Sequence, residues 1–223
     1  DAGQSRDAGD GGTGAGSPCA GKHVVCEDFD GEWSGWQTVT HSSSPLNADT
    51  TRFVSPPRSL SVEGNAKVNE NHPSFLSRPF PAAQRFSLSA DVRAELTGAP
   101  DSEVDLLGLE LAPPTGIPTE IRRYYVAIIA RSDGNFHLEV KIEAPVQPVD
   151  MSVELAPIPA DFTRISIDLD LAAGTIVGAA GPVQQARPVT TASSMSGTLV
   201  VGAAWAANSR GTYAINVDNV VLD

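Results

Sequence analysis

The strongest constraint in this sequence is an alternation of apolar and polar residues with a period of two, broken every eight to twelve positions by turn residues. Phe86, Leu88, Ala90 and Val92 fall on one face of such a run, with Ser87, Ser89, Asp91 and Arg93 on the other. Phe136, Leu138, Val140 and Ile142 alternate with His137, Glu139, Lys141 and Glu143. Ile165, Ile167, Leu169 and Leu171 alternate with Ser166, Asp168 and Asp170, and Leu199, Val201, Ala203 and Trp205 repeat the pattern. Successive side chains of a strand point to opposite faces. Each run therefore predicts a half-buried antiparallel strand, apolar toward a core and polar toward water, with Trp205 in the inward phase. No stretch carries a sustained apolar period of about 3.6 residues, so helix is expected to be minimal.

The breaks carry turn chemistry. Ser132-Asp133-Gly134-Asn135 and Ala172-Ala173-Gly174 read as hairpin turns, and Pro56-Pro57, Pro113-Pro114 and Pro157 with Pro159 mark loops. In the last strand Tyr213, Ile215 and Val217 are odd-numbered, whereas Val220 and Leu222 are even, with Asp218-Asn219 at the change. A phase slip of one residue is the signature of a β-bulge. The expectation is an all-β protein, an antiparallel β-sandwich and most plausibly a jelly roll.

Composition divides the 223 residues into two parts. Residues 1–18 hold no Val, Ile, Leu, Phe, Tyr or Trp. They have nothing to bury, so they read as a flexible Gly/Ala/Asp-rich linker, and residues 19–223 as a single β-sandwich domain. Cys19 and Cys26 are the only cysteines and flank a short segment. They are expected to form a disulfide worth about 2–3 kcal/mol by loop-closure entropy, against the alternative of two reduced thiols. Tail and cystine together predict an extracellular, cell-surface or periplasmic address. The tail resembles the spacer that follows the lipid-bearing cysteine in bacterial surface lipoproteins, so a lipid anchor upstream of residue 1 is an expectation beside an ordinary interdomain linker.

Fifteen Lys and Arg stand against 27 Asp and Glu, a formal charge of −12. The tail accounts for −2, leaving about −10 on the body. Such a surface repels phosphate backbones, so no nucleic-acid partner is expected. It also repels acidic polysaccharides, which leaves a neutral glycan or a surface protein as the expected partner. No apolar run reaches the roughly 18 residues of a transmembrane helix.

Four segments in order carry a resemblance. They are Glu27-Asp28-Phe29-Asp30-Gly31 with Trp33 and Trp36; Arg58-Ser59-Leu60-Ser61-Val62; Phe162 to Leu169 with a hairpin at Gly174; and Tyr213 to Val221, which contains Asp218-Asn219-Val220. Together they resemble the concanavalin A-like jelly roll in its laminin-G-like and bacterial glycan-binding forms, over residues from about 24 to 223. The resemblance implies pairing of the first and last strands. It leaves function open, because this fold hosts lectins, glycosidases, lyases and adhesion modules.

Several constellations would carry chemistry on such a scaffold. Family 16 glycoside hydrolases, which share the resembled fold, place Glu-x-Asp-x-x-Glu on one strand. Glu103 and Asp105 match the start of that pattern. Glu110 comes seven residues after Glu103 and on a regular strand faces the opposite side, which would remove the second carboxylate that retaining hydrolysis needs. The plainer reading puts Val104, Leu106 and Leu109 or Leu111 in the core and the acids outside. A structural calcium site is the second candidate, built from Asp28, Asp30 and Asp218 if the first and last strands adjoin. Its alternative is that Asp28 and Asp218 bond to loop backbone and cap a bulge. No other cofactor is expected.

A sugar platform is the third candidate, from Trp36, His137 and whichever of Tyr124 and Tyr125 is not taken by the core, with Trp33 and Trp205 also considered. Arg122, Arg123 and Arg131 near His137 and Tyr124 would suit a polysaccharide lyase, with exposed strand faces as the duller explanation. No zinc spacing of histidines, no Gly-x-Ser-x-Gly elbow and no phosphate loop is present. The expected function is a non-catalytic exported surface domain that binds glycan or another surface ligand. The alternatives are a polysaccharide-active hydrolase or lyase and an adhesive protein with a protein partner.

Overall fold

The computed structural model describes residues 19–66, 73–97, 102–113, 121–130, 136–143, 151–157, 161–207 and 211–223. The 1–18 tail, the Ser132-Asp133-Gly134-Asn135 turn, Pro114, Pro159 and Arg131 lie outside them. The described residues contain strands and no helix, arranged as two antiparallel sheets. The first sheet runs β13 (Val183–Pro188), β12 (Thr175–Ala180), β11 (Thr163–Asp170), β6 (Arg85–Thr97), β15 (Gly211–Leu222), β4 (Ser59–Ala66), β3 (Leu46–Asp49), with β1 (Val25–Glu27) also on β15. The second runs β10 (Met151–Pro157), β9 (Phe136–Glu143), β8 (Arg122–Ala130), β7 (Glu103–Ala112), β14 (Met195–Ala207), β5 (Ser74–Ala83), β2 (Gln37–Val39).

The period-two pattern explains the sandwich. Phe86, Leu88, Ala90 and Val92 of β6 and Ile165, Ile167 and Leu169 of β11 point inward. They share one core with Leu109 and Leu111 of β7, Val126 and Ile128 of β8, and Leu138, Val140 and Ile142 of β9. Each Phe, Leu, Ile or Val among them, fully buried, contributes about 1.5–3 kcal/mol. The expected hairpin at Gly174 joins β11 to β12, with Gly174 at φ +66° and Asp170 Oδ1 accepting from Ala173 N at 2.8 Å. Cys19 and Cys26 form the expected disulfide beside β1. The first and last strands pair, Val25 opposite Leu222 and Glu27 opposite Val220.

The expected bulge in β15 is present. Its register against β6 shifts between Asp218 and Val221, and Asn219 sits at φ +52°. The Asp218 carboxylate accepts from the backbone N–H groups of Val54 and Ser55 at 2.8 and 2.9 Å, from the Ser55 hydroxyl and from Asn219 N. It thereby ties the loop before β4 to the bulge.

Two further irregularities decide where the chemistry lies. Between Asp105 and Leu107, two steps along β7 match one along β8, so Leu106 and Leu107 both enter the core. Between Val201 and Trp205, four steps along β14 match two along β7. Gly202 lies in this second irregularity at φ +117°, where a Cβ would meet the Ser74 carbonyl oxygen. The phase reverses between Ala203 and Trp205. Ala203 is buried, whereas Trp205 faces outward at 45% exposure, directly opposite Asp105. The inward placement expected for Trp205 is thus corrected by the bulge.

Gly202→Ala would put a Cβ 2.8 Å from the Ser74 oxygen at a φ that favours glycine. We expect a loss of about 1–3 kcal/mol in chemical denaturation and a shifted Trp fluorescence maximum as the bulge rearranges. An unchanged midpoint and spectrum would show that the bulge does not depend on this glycine.

Candidate functional site

The outer face of the second sheet, across β9, β8, β7 and β14, holds a cleft of about 370 Å³. Asp105, Glu110, Arg123, Tyr125, Glu143, Ala204 and Trp205 line it. The Leu106–Leu107 bulge builds this set. By slipping the phase once, β7 turns Glu110 to the same side as Asp105, which corrects the expectation that Glu110 faces away. Gly108 leaves room for the neighbouring ring, since a Cβ there would lie 2.2 Å from Tyr125 Cδ1.

Polar contacts fix the side chains. Tyr125 OH donates to Glu110 Oε1 at 2.7 Å, and Arg123 Nε donates to the same oxygen at 3.1 Å. Arg123 Nη1 also lies 3.7 Å from Glu143 Oε2. Lys141 Nζ donates to Glu103 Oε1 and lies 3.6 Å from Glu143 Oε1 and 3.7 Å from Asp105 Oδ1. The two basic side chains at this cleft, Arg123 and Lys141, are therefore held by carboxylates.

Protonation follows from burial and these neighbours. Burial holds the Asp105 carboxyl well above its ordinary range; Lys141 opposes this, while Glu103 and Glu143 add to it. Burial and the bond to Glu110 push the Tyr125 phenol up, so it stays protonated and donates. Burial works against the Lys141 charge, but Asp105, Glu103 and Glu143 outweigh it and raise its pKa.

The expected site residues separate into two groups. Glu103, Asp105, Tyr125 and His137 lie on the outer face of β7, β8 and β9. Tyr124 is fully buried in the core, so of the two adjacent tyrosines it is Tyr125 that lines the cleft. Arg122 takes the opposite side of β8 from Arg123 and donates to the Thr190 and Thr191 carbonyls at 2.5 and 3.4 Å. Trp36 packs in the core with its Nε1 donating to Glu27 Oε2 at 2.9 Å, and Trp33 is partly buried against the same core. Asp28 Oδ1 accepts from Asp30 N at 3.3 Å, and Asp218 serves the loop described above. Among the described residues no three His, Cys, Asp or Glu side chains are placed to share a metal ion.

Alternation alone put Glu110 and Trp205 on the wrong faces and gave Lys141 no role. The signals were there. Leu106-Leu107 puts two apolar residues side by side in an alternating strand, and Gly202 interrupts another, which is how bulges announce themselves.

No family model matches the sequence, and no curated protein matches it. Solved structures do share the fold. An endo-β-1,4-glucuronan lyase from the fungus Trichoderma reesei superposes with a TM-score of 0.65 at 12% identity, covering 90% of this chain and 95% of that one. A cellulose-induced protein gives 0.60 at 17%, covering 89% and 96%. An alginate lyase from Zobellia galactanivorans gives 0.54 at 10%, covering 79% and 82%. The protein is a β-sandwich of the jelly-roll-like kind found in polysaccharide lyases and other carbohydrate-active proteins. At these identities the likeness shows the fold alone.

Asp105 ties the cleft to stability. Its folded pKa lies above the unfolded value of 3.8, so the folded protein holds a proton that the unfolded chain has released. That contribution is complete below about pH 4 and is lost as pH rises through the folded pKa. Thermal melts across this window should show wild type losing stability with rising pH relative to Asp105→Asn. Parallel curves would mean that Asp105 titrates as an ordinary carboxyl.

Proposed function

We propose that this protein is a non-catalytic, exported glycan-binding module, a concanavalin A-like form of the β-sandwich, and that its cleft takes a glycan without acidic groups. The observation that carries this is Trp205, a large aromatic side chain held out on the sheet surface beside Asp105, Glu110 and Arg123. An aromatic ring offers a stacking surface for the apolar face of a sugar, and fixed carboxylate and guanidinium groups suit its hydroxyls. The Cys19–Cys26 disulfide supports an oxidising compartment. A lipid anchor ahead of the tail belongs to the same proposal as an accessory feature.

Lyase chemistry fits the cleft less well. A uronate needs free cations, and Arg123 and Lys141 are each engaged by two or more carboxylates. A partner-protein face has less support, because the other exposed large apolar side chains among the described residues, Val24, Val39, Phe53 and Val54, are spread over separate segments. One observation favours a second reading, glycoside hydrolysis. Burial raises the Asp105 pKa, the direction a general acid requires, and Glu110 lines the same cleft. Release of reducing ends that disappears in Asp105→Asn would establish that reading.

Binding is tested by affinity electrophoresis and calorimetry on non-acidic polysaccharides, with alginate as the acidic control. We expect retention by a non-acidic polymer and none by alginate. Trp205→Ala should weaken binding by about tenfold or more, since aromatic contacts contribute about 0.5–1.5 kcal/mol beyond the area they bury. Retention unaffected by this substitution would place the binding surface elsewhere.

A further inference from the structure

The cleft is more acidic than recognition of a neutral sugar requires. Glu103, Asp105, Glu110 and Glu143 face Arg123 and Lys141 on neighbouring strands, which leaves an excess of carboxyl groups. Asp105 is the informative one. It is 3% exposed and lines the cleft, and its Oδ1 receives no hydrogen bond. The nearest cation, Lys141 Nζ, stops at 3.7 Å and gives its hydrogen bond to Glu103 instead. A buried carboxyl oxygen without a donor is costly unless something supplies one. Directly across the strand pair stands Trp205. Residues opposed in this way hold their Cβ atoms about 4.5–5.5 Å apart, so ring and carboxyl border one small volume.

A donor that also carries positive charge would satisfy both walls. An ammonium group donates to a carboxyl oxygen and is attracted to the face of an indole, the strongest of the aromatic cation partners; beside Asp105 its charge favours the ionised carboxylate, so the proton that burial holds there is released as the cation binds. The body's charge of about −10 would draw a polycation toward the cleft. We infer that the cleft recognises a glycan bearing free amino groups, with one ammonium seated between Trp205 and Asp105 and facing Glu110. The inference rests on the glycan-binding reading and names its ligand class. An acetylated amine would keep the ring stacking but lose the charge.

The experiment compares a β-1,4-linked glucosamine hexamer with its fully N-acetylated counterpart, by calorimetry at low and moderate salt on the intact chain. We expect the amino chain to bind about tenfold more tightly, the advantage shrinking as salt screens it. In Asp105→Asn, and in Glu110→Gln as the second variant, the ratio of the two affinities should fall toward one, with circular dichroism confirming that each variant is folded. Equal affinities in wild type, tighter binding of the acetylated chain, or a ratio unchanged in both variants overturns this inference and leaves glycan binding standing. No binding of these or any other glycan overturns both.

Discussion

A pleated strand has only two faces, and the demand that one of them fill the core governs everything else in this molecule. Inward positions on β6, β11, β8 and β9 follow their alternation without interruption, and the outward residues are simply what remains. Where β7 and β14 meet, the chain departs from that rule on both strands. Leu106 and Leu107 both serve the core, Gly202 turns β14, and the outward set changes phase. A slip of one residue moves every following side chain to the other face. Glu110 and Trp205 reach the cleft for this reason and no other.

The same junction sets the electrostatics. Outward residues on adjacent strands are brought side by side, so the acids of β7 meet the bases of β8 and β9 in register: Glu110 opposite Arg123, and Arg123 opposite Glu143. Half-exposed ion pairs of this kind add little stability. Their effect is on chemistry. They occupy the cations, hold the Tyr125 hydroxyl as a donor, and leave Asp105 as a carboxyl whose pKa burial raises. The cleft has more acceptors to offer a ligand than free positive charges.

Much of the fold was legible in the sequence because it depends on local periodicity. The strands of β6, β9, β11 and β15, the hairpin at Gly174, the disulfide and the bulge at Asp218-Asn219 all follow from residue order and turn chemistry. The site was legible only in part. Glu103, Asp105, Tyr125 and His137 lie where alternation puts them, on the outer face. Arg122 and Tyr124 fell on the wrong side because parity separates each of them from its neighbour, Arg123 or Tyr125, and sequence alone does not say which parity is inward. Trp36 looked free to stack but has a core position and a hydrogen-bond partner in Glu27. Glu110 and Trp205 were misplaced because a bulge is a pairwise property: it exists only relative to the strand next door.

The fold shared with glucuronan and alginate lyases sharpens what is particular here. A sandwich sheet leaves its outer face free of the core, and the backbone there is indifferent to the sign of the charge on any ligand. Selectivity must come from outward side chains, which the core does not constrain and which vary without cost to the fold. An acidic polymer requires that face to present unpaired cations. In this chain Arg123 and Lys141 are instead enclosed by carboxylates, and the exposed indole stands beside a buried acid. On the binding proposed above, the same sheet would prefer a ligand opposite in charge to a polyuronate, through outward side chains aimed by the two irregularities of β7 and β14.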